Sequence, residues 1–119
     1  MRDPKADRVR IIHILEAIGH IEDHASAVSE NELDNDPMLR FSIVKLIEIV
    51  GEAANMLTVE LRSRHPEVPW SRIINMRHRL VHDYFNVNTA VVSDVVHVQL
   101  PTLKIQLVRI LDGLEHMNA

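Results

Sequence analysis

Apolar residues recur every three or four positions along almost the whole chain, and prolines divide this pattern into separate segments. Such a period places apolar side chains on one face of an α-helix, whereas a half-buried strand requires strict alternation. The run AVVSDVVHV is rich in valine, which favours strands, but its valine pairs keep the helical period. The sequence therefore predicts an all-α fold.

The first half of the chain is predicted to contain two long helices. Each begins where an aspartate precedes a proline, a combination typical of a helix start. The first is expected from Pro4 to about residue 27, and the second from Pro37 to about Arg64. The stretch SENELDND between them has no periodic apolar residues, so we predict a loop there.

The second half is predicted to add two further helices. One begins at Pro69 and ends close to Tyr84, and the other follows Asn88. Pro101 should kink or break the last helix, because proline lacks an N–H donor and clashes with the preceding turn. Four helices with short connections form an antiparallel bundle, and we predict a single helical domain over residues 1–119.

Composition excludes several classes of protein. A net charge of -4 argues against broad coating of nucleic acid, and the absence of cysteine removes disulfides, thiolate catalysis and zinc sites with sulfur ligands. No segment reads as a signal peptide or a membrane span, so a cytoplasmic protein is expected. His20 and His24 lack an identifiable third ligand, and we expect no metal and no cofactor.

Reactive side chains are concentrated in the stretch INMRHRLVHDYFNVN. Arg77, His78, His82 and Tyr84 lie within eight consecutive residues. On a straight helix, at ~100° per residue, Arg77 and His82 would point about 140° apart. They can act on one atom only if the helix unwinds near His82 or if a second copy of the chain supplies the missing partner.

Arginine and histidine together suit phosphoryl transfer without a metal. Arginine stays charged and binds phosphate oxygens with a planar fork, and histidine titrates near neutrality and can move protons. The pair could therefore cleave RNA. The alternative is structural: Arg77 and His78 would lie on a solvated surface, while His82 and Tyr84 would pack against neighbouring helices.

The cluster also has the pattern Arg-x4-His-x-Tyr, with a polar residue directly after the arginine. Together with the segments EIVGEAANML, RHPEVPW and YFNVN, it resembles the HepT-like branch of the HEPN superfamily. The resemblance covers nearly the whole chain and is strongest from Pro37 to Asn88.

This resemblance implies a homodimeric helical bundle that acts as a metal-independent endoribonuclease toxin. It also implies a partner, a nucleotidyltransferase antitoxin of the MntA type, which silences the toxin by attaching AMP to a tyrosine. Carried over by residue, Arg77 and His82 would be catalytic, Tyr84 would accept AMP, and His78 would orient or contact phosphate. The alternative function is a non-catalytic helical dimer that binds nucleotide or docks to a nucleotidyltransferase.

A polar stripe on the second helix provides candidate supporting residues. Lys45, Glu48, Glu52 and Asn55 lie opposite its apolar face. We expect Glu52 or Asn55 to orient Arg77. The competing interpretation is a solvated face with an ordinary pair between Lys45 and Glu48.

Overall fold

The computed structural model describes residues 3–81 and 86–117. In these ranges the chain is helical apart from its connections, and a single bridge between Val81 and Val87 is the one strand-like pairing. The helices are α1 (Lys5–Ala25), α2 (Glu30–Asn35), α3 (Pro37–Asn55), α4 (Val59–Arg64), α5 (Trp70–Ile74), α6 (Met76–Leu80), α7 (Thr89–Asp94) and α8 (Leu100–Met117), with a π-helical turn at Val95–Gln99 joining the last two. The predicted all-α fold is confirmed.

Helix α1 packs against α3 on one side and α8 on another. Two ion pairs define the direction of α8: Arg8 at the start of α1 binds Glu115 at 3.1 Å, and Glu22 near its end binds Lys104 at 3.1 Å. The start of one helix therefore meets the end of the other. The two helices are antiparallel, as the bundle prediction requires.

Aliphatic side chains at helical spacing fill the interface between these three helices. Burial of each such side chain contributes about 1.5–3 kcal/mol through the hydrophobic effect, which makes this the main stabilising term. The almost fully buried members include Ile11, Ile14, Ile18 and Ile21 of α1, Ile43, Ile47 and Val50 of α3, and Leu103, Leu107 and Ile110 of α8. The apolar periodicity in the sequence thus corresponds to the observed core.

The predicted second helix is wrong in extent, because α3 ends at Asn55 and α4 begins only at Val59. Thr58 starts the new helix by accepting a hydrogen bond from the backbone N–H of Leu61 at 3.2 Å. The carboxylate of Asp7 in turn accepts from the Thr58 N–H at 2.9 Å and from its hydroxyl at 2.6 Å. This buried contact holds the start of α1 against the α3–α4 junction.

The predicted loop SENELDND is also wrong, since most of it forms α2. Ser29 caps this helix by accepting from the Glu32 N–H at 3.1 Å, and the Ser29 hydroxyl donates to the Glu32 carboxylate at 3.3 Å. The Ser-x-x-Glu spacing of a capping box is visible in the sequence, but Glu32 binds the Ser29 hydroxyl and not its backbone N–H. Hydrophobic periodicity could not detect it, because a six-residue helix presents little more than Leu33 to the core.

The predicted third helix is divided at Asn75 into α5 and α6, and α6 ends at Leu80 rather than close to Tyr84. The next residue, Val81, is extended and pairs with Val87. The Leu80 carbonyl accepts a hydrogen bond from the backbone N–H of Asn88 at 2.8 Å. The backbone therefore leaves the helix at Val81 and pairs with a nearby segment of the chain.

The last helix continues through Pro101, so the proline does not break it. The irregularity lies just before the proline, where the Leu100 N–H donates to the Val95 carbonyl five residues earlier. This π-helical bonding is a known way for a helix to absorb a local mismatch. The strand-favouring valines of this region are helical, as predicted.

None of the helices that the structure describes is both long enough and apolar enough to cross a membrane.

Replacing Asp7 tests the contact between α1 and the α3–α4 junction. Asp7→Ala leaves the buried N–H and hydroxyl of Thr58 without an acceptor, and we expect a loss of about 1–3 kcal/mol of unfolding free energy. Urea denaturation followed by circular dichroism measures this loss. The matched control is Asp23→Ala, an exposed aspartate on the same helix; equal stability of the two variants would contradict the assignment.

Candidate functional site

The segment that carries Arg77 lies unusually close to α3. At Gly51 of α3, a Cβ atom would lie 3.1 Å from the carbonyl oxygen of Ile73 and 3.3 Å from that of Ile74. Contacts this short are tighter than most side chains tolerate, so glycine permits the close approach of α5. Met76 and Leu80 anchor α6 by facing the core. The backbone on both sides of Arg77 is thereby fixed.

The only tryptophan of the chain, Trp70, holds the start of α5. The indole N–H of Trp70 donates to the backbone carbonyls of His65 at 2.9 Å and Arg62 at 3.1 Å, and the ring is buried. Both carbonyls belong to the end of α4, so the indole ties α4 to α5. The indole packs in the core and binds the carbonyls at the end of α4, so it does not form an exposed stacking surface for a nucleobase.

Arg77 is bound by an acidic residue of α3. Its Nε donates to Oε1 of Glu48, and the other oxygen of Glu48 lies 3.7 Å from Nζ of Lys45. The Glu48 side chain is mostly buried, whereas 56% of the Arg77 side chain is exposed. The carboxylate therefore orients a guanidinium that remains accessible to solvent.

This contact differs from the pairing expected from the sequence. Among the described residues, no hydrogen bond or ion pair joins Arg77 to Glu52 or Asn55. Glu52 instead lines a concavity of about 440 Å³ between α1 and α3, beside His13. Glu48, which the sequence assigned only to a surface pair with Lys45, binds both cations. The orienting roles of Glu52 and Asn55 stay predictions.

Of the other residues in the cluster, His78 is described by the structure and two are not. His78 follows Arg77 on α6 and is exposed. His82 and Tyr84 lie outside the described residues. Helix α6 ends at Leu80 and Val81 is extended. Which of the two arrangements brings Arg77 and His82 to one atom stays a prediction.

The other histidines that the structure describes lie apart from this cluster. His20 and His24 line a concavity with Met38 and Phe41 at the start of α3. Across residues 3–81 and 86–117, no group of three or more histidine, aspartate or glutamate side chains is arranged to hold a metal ion.

Comparison with known proteins identifies relatives of this chain. The sequence matches the family described as "Ribonuclease HepT-like" over residues 14–110. It is 34% identical over 107 residues to "Putative RNase TTE0752" of Caldanaerobacter subterraneus subsp. tengcongensis, covering 90% of this chain and 96% of the relative. It is 33% identical over 91 residues to "Probable ribonuclease HepT" of Thermococcus cleftensis, covering 76% and 83% of the two chains.

A third relative is longer than this chain. "Gamma-glutamylcyclotransferase and putative RNase MJ0434" of Methanocaldococcus jannaschii is 31% identical over 108 residues, which cover 91% of this chain but 49% of the relative. No solved structure matches the sequence significantly. The family match begins within α1, ends within α8 and includes the whole cluster from Arg77 to Tyr84. The chain therefore belongs to the HepT-like ribonuclease family.

Proposed function

We propose that this protein is a metal-independent endoribonuclease in which Arg77 and His82 act on the same phosphodiester. The observation that carries the proposal is the placement of Arg77. Its guanidinium is exposed, oriented by Glu48, and located three residues before the end of α6, with His82 following two residues after that end. Family membership supports ribonuclease activity independently.

The chemistry follows from the two side chains. A 2′-hydroxyl of RNA attacks the adjacent phosphorus, the bond from phosphorus to the 5′-oxygen breaks, and the products carry a 2′,3′-cyclic phosphate and a 5′-hydroxyl. His82 removes the proton of the attacking hydroxyl or supplies one to the leaving oxygen. Arg77 stabilises the negative charge that develops on the non-bridging oxygens. His78 is exposed beside Arg77 and would contact the neighbouring phosphate.

A homodimer belongs to this proposal because one chain provides only one motif histidine. In-line cleavage requires both a base and an acid, and a second His82 from a partner copy would supply the missing group. If the α6 helices of two copies face each other, two Arg77 and two His82 side chains converge on one cleft. The pH dependence of cleavage should then be bell-shaped.

Tyr84 is proposed as the point of regulation by a nucleotidyltransferase antitoxin, with the protein acting as the toxin. The phenolic oxygen of Tyr84 attacks the α-phosphorus of ATP, a new oxygen–phosphorus bond forms, pyrophosphate leaves, and the phenolic proton passes to solvent. The attached AMP places a phosphate and a bulky base two residues from His82. That phosphate would compete with RNA for Arg77.

Removing either proposed catalytic side chain should abolish cleavage. We expect Arg77→Ala and His82→Ala each to lower the rate by at least about 100-fold, the usual effect of losing a charge clamp or a general acid–base group. The assay follows cleavage of a fluorescent RNA by the purified full chain in excess EDTA.

The matched control is Arg79→Ala, which removes the same charge from an exposed position on the same helix and should alter the rate only a few-fold. Persistent cleavage by the His82 variant would contradict the assignment. No cleavage by the wild type, together with nucleotide binding that needs Arg77, would favour the non-catalytic binding module.

The role of Glu48 is separable from that of Arg77. Glu48→Ala frees the guanidinium, and we expect kcat to fall about 10-fold because the orientation is lost. KM should fall or stay constant, since a carboxylate that repels phosphate has been removed. The kcat and KM of Glu48→Gln, measured by steady-state kinetics, should be closer to those of the wild type, because the amide oxygen still accepts a hydrogen bond from Nε of Arg77.

Glu60→Ala, an exposed acidic residue on α4, serves as the control for lost negative charge. A large effect of Glu52→Ala with none for Glu48→Ala would instead favour Glu52 as the residue that orients Arg77.

Modification by the antitoxin should require the Tyr84 hydroxyl alone. We expect Tyr84→Phe to retain RNA cleavage and to resist inactivation when incubated with ATP and a nucleotidyltransferase encoded beside its gene. Intact-mass spectrometry should show an added adenylyl group on the wild type and none on the variant. Equal modification of both proteins, or an adduct mapped to another residue, would refute the regulatory assignment.

A further inference from the structure

An exposed aromatic side chain lies on the same helix face as the residue that orients Arg77. The described ranges contain two aromatic side chains of the Phe, Trp or Tyr type, Trp70, which is buried, and Phe41, which is 41% exposed. Phe41 precedes Lys45 by four residues and Glu48 by seven, a spacing that places all three on one face of α3. The aromatic ring and the candidate site therefore belong to one surface.

The Phe41 ring is held in place before any ligand binds. The guanidinium of Arg40 lies 5.1 Å from the ring centroid, within the range of a cation–π interaction. That guanidinium is itself fixed, because its Nη1 donates to the backbone carbonyls of Leu33 at 2.9 Å and Asp34 at 3.1 Å. A ligand that stacks on the ring therefore costs little side-chain entropy.

Phe41 borders a groove of about 790 Å³ between α1 and the first half of α3. Met38, which is 79% exposed, lies beside it, and His20, His24 and Lys45 also border the groove. Apolar and aromatic walls with hydrogen-bonding side chains at their edge suit a nucleobase, because its faces stack and its edge is polar. We call this the Phe41 groove.

Lys45 joins the Phe41 groove to the candidate site. Its Nζ lies 3.7 Å from one oxygen of Glu48 while Arg77 donates to the other oxygen, so a single carboxylate holds both cations. Both stay accessible, since 66% of the Lys45 side chain and 56% of the Arg77 side chain are exposed. An RNA backbone can therefore pass from one cation to the other.

The second groove between α1 and α3 is less suited to RNA. It lies toward the end of α3 and has a volume of about 440 Å³. The carboxylates of Glu16 and Glu52 border it and outnumber its one permanent cation, Arg10, and none of its described lining residues is Phe, Trp or Tyr. Charge and stacking thus both favour a strand that runs from Arg77 toward the start of α3.

We propose that the Phe41 groove binds the base of a nucleotide next to the scissile phosphate of a single-stranded RNA. The base stacks on Phe41, the phosphate of that nucleotide contacts Lys45, and the scissile phosphate lies at Arg77. Phe41 and Lys45 are about 6 Å apart along α3, which one nucleotide can span. A single strand is required, because a paired base is stacked inside its duplex and does not present its face.

This inference rests on the proposed function, and binding of an uncleavable oligonucleotide tests it separately from catalysis. 2′-O-methyl RNA has no free 2′-hydroxyl, so the proposed reaction cannot cleave it. Fluorescence anisotropy of a short labelled strand should show that Phe41→Ala and Phe41→Leu each raise Kd at least about fivefold, because stacking is lost. Phe41→Trp should bind at least as tightly as the wild type. The control is Val9→Ala, at a 46% exposed apolar position of α1, which should change Kd less than about twofold.

Removing one base at a time from the oligonucleotide identifies the stacked base. At one position, the abasic strand should bind the wild type as weakly as the intact strand binds Phe41→Ala. Phe41→Ala should bind this abasic strand and the intact strand equally, within about twofold, because the two losses belong to one contact. The position should adjoin the bond that the wild type cuts in unmodified RNA of the same sequence.

The salt dependence of Kd tests the phosphate contact of Lys45. Lys45→Ala should reduce the slope of log Kd against log salt concentration by about one, and Lys45→Arg should restore it, because one phosphate contact is lost and regained. Lys5→Ala, at an exposed position of α1, should leave the slope unchanged.

The outcomes separate the Phe41 groove from the nuclease proposal. RNA cleavage by a wild type whose Kd equals that of Phe41→Ala, or a scan in which no abasic position cancels the effect of Phe41, would overturn the groove and leave the nuclease proposal standing. Binding that depends on Phe41 and on one base, without cleavage of unmodified RNA, would support the groove and refute the nuclease activity.

Discussion

The whole molecule depends on the burial of α1 between α3 and α8. Its isoleucines face both neighbours, and the hydrophobic effect acting on them outweighs any single polar contact in the protein. Polar contacts at the ends of α1 then fix how the helices align. Asp7 joins its start to the α3–α4 junction, and exposed ion pairs with Lys104 and Glu115 join it to the antiparallel α8.

The candidate site is built on this frame by short helices rather than by long ones. Gly51 lets the carbonyls of Ile73 and Ile74 approach α3 closely, and this contact brings α6 within reach of Glu48. Glu48 then binds Arg77 through Nε while most of the arginine stays exposed. Gly51 and the mostly buried Glu48 carboxylate thus position the accessible guanidinium of Arg77. That arrangement suits a group that must meet an anionic ligand, because its orientation is set before the ligand arrives.

The end of α6 at Leu80 also matters for the proposed chemistry. The extended Val81 pairs with Val87, and the Leu80 carbonyl bonds to Asn88, so the backbone leaves the helix between Arg77 and His82. A continuous helix would have directed the two side chains to different surfaces. The proposed dimer would supply a second proton-transfer group.

The sequence alone determined the helical class, the core faces of the long helices and the stretch where reactive groups concentrate, because periodicity and residue chemistry are local properties. It did not determine where helices end: the short α2 depends on the Ser29 cap, the break at Thr58 on bonds to Asp7, and the end at Leu80 on the backbone bond to Asn88. Nor did it identify Glu48 as the partner of Arg77, since Glu48, Glu52 and Asn55 share one helical face. That contact depends on the close packing at Gly51, because the approach of two backbones, and not spacing along one helix, sets which side chains can meet.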